Sequence, residues 1–273
     1  MIVFPNCKIN IGLFVTSKRP DGFHNIESVF MPVAWNDVLE INHAQGVSGS
    51  FTQSGLTIDA DIEQNIVVKA ARLMQREFAI GEMDIHLMKN LPMGAGLGGG
   101  SADGAFAISA INAIFDLNLS KIQMAQLAAQ LGSDCPFFIY NSPCFVSGRG
   151  EIIEPIHLDL SSYYIGLIHP GIHLSTPLAY SKIKPEEATF DLRLLNQTPI
   201  EEWEEMVEND FELPVFSMFP LIGDIKSAMY ESGALYASMS GSGSAVYGIF
   251  SEMPNLDEIK KDLRLTSALA YTG

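Results

Sequence analysis

Leu91 to Asn112 reads LPMGAGLGGGSADGAFAISAIN and holds six glycines between Gly94 and Gly104. Glycine loses more backbone freedom on folding than any other residue, so such a run needs a physical reason. The order strand, glycine loop, helix supplies one. Small residues let the main chain approach an anion, and a helix N-terminus adds unpaired N–H donors and partial positive charge. The chemistry this pattern points to is phosphate binding. A dinucleotide fingerprint is formally present at Gly94, Gly96 and Gly99, but Asp116, at about the right distance, follows the helix directly instead of ending a second strand. A Walker A loop would run from Gly94 to Ser101, yet Gly100 stands where that motif needs lysine.

Two charged residues stand out beside the loop. Lys8 lies inside the apolar run VFPNCKINIGLFV, where a lysine needs a partner. Asp134 sits between Ser133 and Cys135, just before PFF, where a lone carboxylate is costly to bury. A helix cap or turn is the alternative reading for Asp134. Ser101 either caps the helix or orients phosphate or a Mg²⁺-bound water. Lys18, Arg19 and Lys89 are possible counter-charges, with solvation at the surface the simpler role for each. Asp103 suits a helix N-terminus but faces a phosphate site, and its role stays open.

These residues need elements to position them. From Ile2 to about Glu40 the pattern is strand-like, broken by the turn KRPDGFHN around Pro20-Asp21-Gly22. Asn42 to Asp61 reads as short strands and turns. EQNIVVKAARLMQREFAI has helical spacing, with Ile66, Ala70, Leu73 and Met74 on one face. MDIHLMKNLPM alternates as a strand and feeds the glycine loop. Helices follow over Ser101–Phe115 and, capped by Ser120, over Lys121–Leu131. Gly132 and Pro136 break the chain, and PCFVSGRGEIIEPI forms a hairpin. Beyond Pro155 come a strand at YYIGLIHP and helices near Glu201–Glu208 and Gly223–Ser232. Strands at ALYASMS and SAVYGIF, a helix near Leu256–Leu263 and a short terminal segment close the chain. The irregular alternation predicts an α+β protein in two lobes.

The chain has 273 residues, 47% of them hydrophobic and 18% charged, which fits a soluble protein with a sizeable core. No long uncharged apolar run predicts a membrane span, and the N-terminus lacks the marks of a signal peptide. Cys7, Cys135 and Cys144 have no CxxC spacing and read as free thiols in a reducing, cytoplasmic setting. The net charge is −16, and Pro185–Glu212 alone carries ten acidic residues and one arginine, read as a solvated helical face. Nucleic acid is therefore a poor partner, and an anionic ligand must be bound by local donors.

PMGAGLGGGSADGA resembles the signature of the GHMP kinases, Pro-x-x-x-Gly-Leu-Gly-Ser/Gly-Ser-Ala/Ser, as Pro92, Gly96, Leu97, Gly98, Gly99, Gly100, Ser101 and Ala102. KINIGLFVTSKRPDGFHNIESVF resembles the family's first motif, in the version of the branch that acts on a cytidine diphosphate sugar alcohol. SMSGSGSAVYGIF resembles the third motif, a second glycine loop between two strands. LGSDCPFFI, HPGIHLSTPLAY and VENDFE resemble further family segments, so the likeness runs from Lys8 to Phe250.

The resemblance implies a two-lobed α+β fold, with a ribosomal-S5-like N-terminal lobe over 1–155 and a ferredoxin-like C-terminal lobe over 156–273. It implies an ATP- and Mg²⁺-dependent kinase phosphorylating a hydroxyl of that small-molecule acceptor, in isoprenoid precursor synthesis. Lys8 and Asp134 would be catalytic, Asp134 orienting or deprotonating the hydroxyl and Lys8 keeping it ionised. Asn65, Pro92, Gly94, Ala95, Gly96, Leu97, Gly98, Gly99, Gly100 and Ser101 would bind ATP, although a helix cap also explains Asn65. Asn10, Phe23, His24, Thr176, Tyr180, Gly241, Ser242 and Gly243 would bind the acceptor. Aromatic stacking on a pyrimidine is favourable by about 1–3 kcal/mol per base, and core packing is the other reading of Phe23 and Tyr180. At the first aromatic position the family more often has tyrosine, so Phe23 keeps stacking but lacks a hydroxyl. A tight hairpin turn is the other reading of Gly241–Gly243. No residue is assigned as a metal ligand. The rivals are a GHMP kinase for another small alcohol, such as mevalonate or homoserine, and a non-catalytic ATP-binding sensor.

Overall fold

A computed structural model describes residues 1–57, 61–266 and 268–273. Residues 58–60 of the stretch read as short strands and turns lie outside the described residues. In chain order the strands are β1 (Ile2–Val3), β2 (Asn6–Lys18), β3 (His24–Asn36), β4 (Val38–His43), β5 (Ser50–Gly55), β6 (Met83–Lys89), β7 (Cys144–Ser147), β8 (Ile152–Pro155), β9 (Tyr164–His169), β10 (Tyr236–Met239), β11 (Val246–Phe250) and β12 (Leu269–Thr272). The helices are α1 (Ile66–Phe78), α2 (Gly99–Ile114), α3 (Lys121–Ala128), α4 (Cys135–Tyr140), α5 (Thr176–Tyr180), α6 (Glu212–Met218), α7 (Pro220–Glu231) and α8 (Leu256–Asp262).

The chain forms two compact units, each assembled from several stretches. The first comprises Met1–Cys7, Ala34–Met93 and Gly98–Ser142, the second Lys8–Val33, Gly94–Leu97 and Pro143–Gly273. The lobes expected at 1–155 and 156–273 divide the chain at one point; compactness divides it at several, because β2 and β3 each run on from one unit into the other.

The first unit has one sheet, in the order β1-β4-β6-β5, with β4 antiparallel and β5 parallel to β6. α2 packs on β4 and on α1, α3 and α4. Side-chain caps start α1 and α3. Asn65 Oδ1 accepts from Val67 N at 2.9 Å to cap α1, and Ser120 and Gln123 form a capping box at α3. α1 buries Val67, Val68, Ala70, Ala71, Leu73 and Met74, the face its spacing predicts, with Ile66 at its margin.

The second unit holds an antiparallel sheet, β10-β11-β9-β12, and most of a second one, β2-β3-β7-β8. Its core joins Leu13, Val15 and Ile26 to Ile168, Ile222, Met229 and Phe250. The first ten residues of β2 are buried in succession, not alternately. Its free edge is covered too, because Leu13 N donates to Glu208 O at 2.8 Å and Asp210 N to Leu13 O at 2.9 Å. That explains how Lys8 and Asn10 come to be buried on a strand.

Three expectations need correction. The helix near Glu201–Glu208 is a 3-10 turn at Ile200–Glu205, and the acidic stretch around it presents no long helical face. The break at Gly132 lies between α3 and α4, but Pro136 does not prolong it: it sits in the first turn of α4, where its missing N–H costs nothing. The short terminal segment is a strand, β12, paired to β9.

Candidate active site

In the second unit the central limb of the first glycine loop meets the second glycine loop. Gly96 has φ +78°, and a Cβ there would run into the carbonyl oxygen of Ser240. Both the conformation and the space exclude a side chain. Ser240 Oγ donates to Gly96 O at 2.9 Å, and Ala245 N donates to Ala95 O at 3.1 Å. Lys8 joins from β2: its N donates to Leu97 O at 2.9 Å, and its Nζ donates to Gly96 O at 3.1 Å and to Asn10 Oδ1. The ammonium also lies 4.5 Å from the centre of the Phe30 ring. Asn10 is held in turn by Nδ2 donating to Ser28 Oγ at 2.9 Å. Gly241 lies against Asn10 and Gly96. Five residues from three distant stretches of the chain, Lys8, Asn10, Gly96, Ser240 and Gly241, thus form one polar knot.

The second loop, Gly241-Ser242-Gly243, is the turn between β10 and β11, and its glycines at 241 and 243 have positive φ. Thr176, the exposed first residue of α5, places Oγ1 3.4 Å from Ser242 Oγ. At the other end of α5, the Tyr180 ring stacks on the His24 ring, with centroids 4.9 Å apart and planes 21° apart. Burial and the nearby Lys18 charge lower the His24 pKa, which favours a neutral imidazole able to accept as well as donate. Phe23 is 54% exposed, so core packing does not explain it. The Arg149 guanidinium lies 4.8 Å from its ring centre. Tyr180 is half-buried and also packs edge-on against Phe211.

In the first unit, the loop opens into α2. Gly98, with φ +70°, is the cap residue of that helix and provides no side-chain hydrogen bond. The helix therefore starts at Gly99, two residues before the expected Ser101. Ser101 lies inside the first turn and is not its cap. Its hydroxyl hydrogen-bonds the Cys135 thiol, which burial pushes up to about 12, so that sulfur is not a nucleophile at neutral pH. Gly99 packs against Leu91, whereas a Cβ at Gly100 would meet open space. Pro92 is buried at the loop's entry. Asp134 is half-buried at the start of α4 and makes no capping hydrogen bond there, so the cap reading fails. Asn65 does cap α1.

Residues 65–142 match the GHMP kinases N terminal domain and residues 192–267 the GHMP kinases C terminal domain. The chain is 48% identical over 260 residues to 4-diphosphocytidyl-2-C-methyl-D-erythritol kinase of Bacteroides thetaiotaomicron, spanning 94% of this chain and 95% of that protein. This chain belongs to the GHMP kinase family. The like-named protein of Parabacteroides distasonis is 46% identical, over 94% of both chains. Among solved structures, a 4-(cytidine 5'-diphospho)-2C-methyl-D-erythritol kinase superposes with a TM-score of 0.80 and 29% identity, over 100% of this chain and 98% of the other. Homoserine kinase from Cytophaga hutchinsonii, at 16% identity and a TM-score of 0.70, over 98% of this chain and 93% of that one, shares the fold. The α+β GHMP kinase architecture expected from the motifs is what the structure has.

Two features of this family member escaped the sequence reading. Lys89 is not a solvated surface lysine: it is 1% exposed and bonded to Asp37 and Asp103. Asp103 does not point to solvent; it lies in the second turn of α2, facing Lys89. The signal that could have found Lys89 was its place as an inward residue of MDIHLMK, where alternation puts Met83, Ile85 and Leu87 on the same buried face. Asn209, in the VENDFE segment, is the other omission. Its Nδ2 donates to Met239 O at 2.7 Å and to Gly241 O at 2.9 Å, bracing the second glycine loop.

Proposed function

We propose that this kinase transfers the γ-phosphoryl group of ATP to the 2-hydroxyl of 4-diphosphocytidyl-2-C-methyl-D-erythritol, in the non-mevalonate route to isoprenoid precursors. The observation that carries this reading is the 48% identity, over nearly the full length of both chains, to a protein bearing that kinase's name. The His24–Tyr180 stack supports it, with exposed Phe23 next to His24 in the chain, since accessible aromatic faces suit a pyrimidine base.

In the reaction the acceptor oxygen attacks the γ-phosphorus, the bond to the β-phosphate oxygen breaks, and ADP leaves. Asp134 takes or orients the hydroxyl proton, and Lys8 steadies the charge that develops. Asn65, Pro92 and the loop Gly94–Ser101 hold the nucleotide, mainly through backbone N–H donors at the uncapped start of α2. Asn10, Phe23, His24, Thr176, Tyr180 and Gly241–Gly243 hold the acceptor. Mg²⁺ would reach the site with the ATP phosphates and neutralise charge on the transferring group. Of the loop's side chains, the Ser101 hydroxyl suits a water of its shell, whereas the Asp103 carboxyl is already taken by Lys89. Residues 1–155 are assigned to the N-terminal lobe and 156–273 to the C-terminal lobe. Among the described residues no helix is long and apolar enough to cross a membrane, and a cytoplasmic site of action accords with that.

ADP release with Mg·ATP and three acceptors, the cytidine compound, mevalonate and homoserine, tests this. Turnover on the cytidine compound alone is expected, falling by about 10²-fold or more in Asp134→Asn, the scale on which general acid–base groups contribute. Turnover on another acceptor would overturn the substrate assignment, and ATP binding without turnover on any would overturn the activity.

A further inference from the structure

Lys89 ends β6, the strand that feeds the glycine loop, and its ammonium is enclosed by two carboxylates. It donates to Asp37 Oδ2 and, at 2.8 Å, to Asp103 Oδ2. All three side chains are 0–3% exposed. Asp37 Oδ1 meanwhile accepts from Asn90 N at 2.6 Å and Leu91 N at 2.8 Å, the first two residues of the loop's entry. Asp103 lies in α2, one turn beyond the helix start at the loop's exit. A Cβ on Gly99 would stand 3.6 Å from Lys89 Nζ. One ammonium therefore ties the end of the incoming strand, through Asp37, to the loop's entry and, through Asp103, to its exit.

Two ionised carboxylates around one ammonium would leave a net negative charge buried under a loop built to meet anions. Burial, and then the neighbouring Asp37, push the Asp103 carboxyl up to about 8, against the opposing pull of Lys89. The direction favours the protonated carboxyl, which relieves that surplus charge. Asp103 Oδ1 is one of two buried side-chain polar atoms among the described residues with no hydrogen-bond partner, so a full charge there would be costly.

We propose that Asp37, Lys89 and Asp103 form a positioning cluster that holds the entry and exit of the glycine loop in register, so that its backbone donors are aligned before the nucleotide arrives. The three act through the loop and touch no reacting atom. The link to nucleotide binding rests on the ATP reading above; the link to loop order does not.

The experiment compares the full-length wild type with Asp103→Ala and with Asp103→Asn, which keeps a neutral side chain of the same shape and an acceptor for Lys89. Amide hydrogen exchange is followed over residues 90–101 without ligand, beside steady-state kinetics in ATP and in the acceptor. Asp103→Ala is expected to speed exchange over 90–101 while the β10-β11-β9-β12 sheet is unchanged. It should also raise KM for ATP on the order of tenfold, with kcat and acceptor KM little altered, the pattern of lost ground-state binding. Asp103→Asn should restore both. Unchanged exchange over 90–101, an equal rise in the sheet, or an Asn variant as impaired as the Ala variant would overturn the cluster's role. If the wild type does not use ATP, the functional reading falls, and the exchange data alone decide the inference.

Discussion

The two glycine loops solve opposite problems. In the first, at the helix start Gly98–Ser101, the opening N–H groups of α2 lack a capping side chain. In the second, the turn at Gly241–Gly243 is braced from behind, with the Asn209 amide satisfying the carbonyls of Met239 and Gly241. One loop leads into a helix start without a side-chain cap, the other makes a tight hairpin turn fitted against its neighbours. Where they meet, at Gly96 and Ser240, the glycine is there for closeness.

The sharpest way to break this contrast is Gly96→Ala. It forces a side chain into a left-handed conformation and against the Ser240 carbonyl, so a loss of about 3 kcal/mol or more in chemical denaturation is expected, with activity lost alongside. Asn209→Ala comes next. It leaves the Met239 and Gly241 carbonyls buried without their donor, each worth roughly 1–3 kcal/mol, and should lower stability and raise acceptor KM without changing ATP KM. A smaller effect concerns pH. Asp103 has a folded-state pKa above its unfolded value, so its contribution is full below 3.8 and is lost as pH rises through about 8. Denaturation curves should show the wild type losing stability relative to Asp103→Asn across that window, and parallel curves would show that Asp103 does not titrate. The smallest change is Gly100→Ala. Its Cβ meets open space on a helix, so thermal melting should show a gain of about 0.5–1 kcal/mol. A loss there would mean that the start of α2 is not helical in solution.

Much of the local structure around the candidate site was legible because it is written in contiguous motifs. Asn65 caps α1, the alternative reading given for it, and the turn before His24 lies where Pro20-Asp21-Gly22 put it. Lys8 was marked as a buried lysine needing partners, because an apolar strand tolerates no solitary charge. What failed were readings that depend on where a helix begins. Ser101 was weighed as a cap, but glycine with a positive φ can end the loop by itself, and Gly98 does so three residues earlier.

The sequence by itself determined most of the elements, the glycine-rich turn into α2 and the family, since these rest on short-range patterns: backbone freedom at glycine, periodic burial and capping. It could not assign Lys89, Asp103 and Asn209. Their partners lie 14 to 52 residues away in the chain, and a charged residue's burial depends on what the fold brings to it. Only the tertiary structure decided that Lys89 and Asp103 face each other in the core, where a charge must find a counter-charge or give up its ionisation.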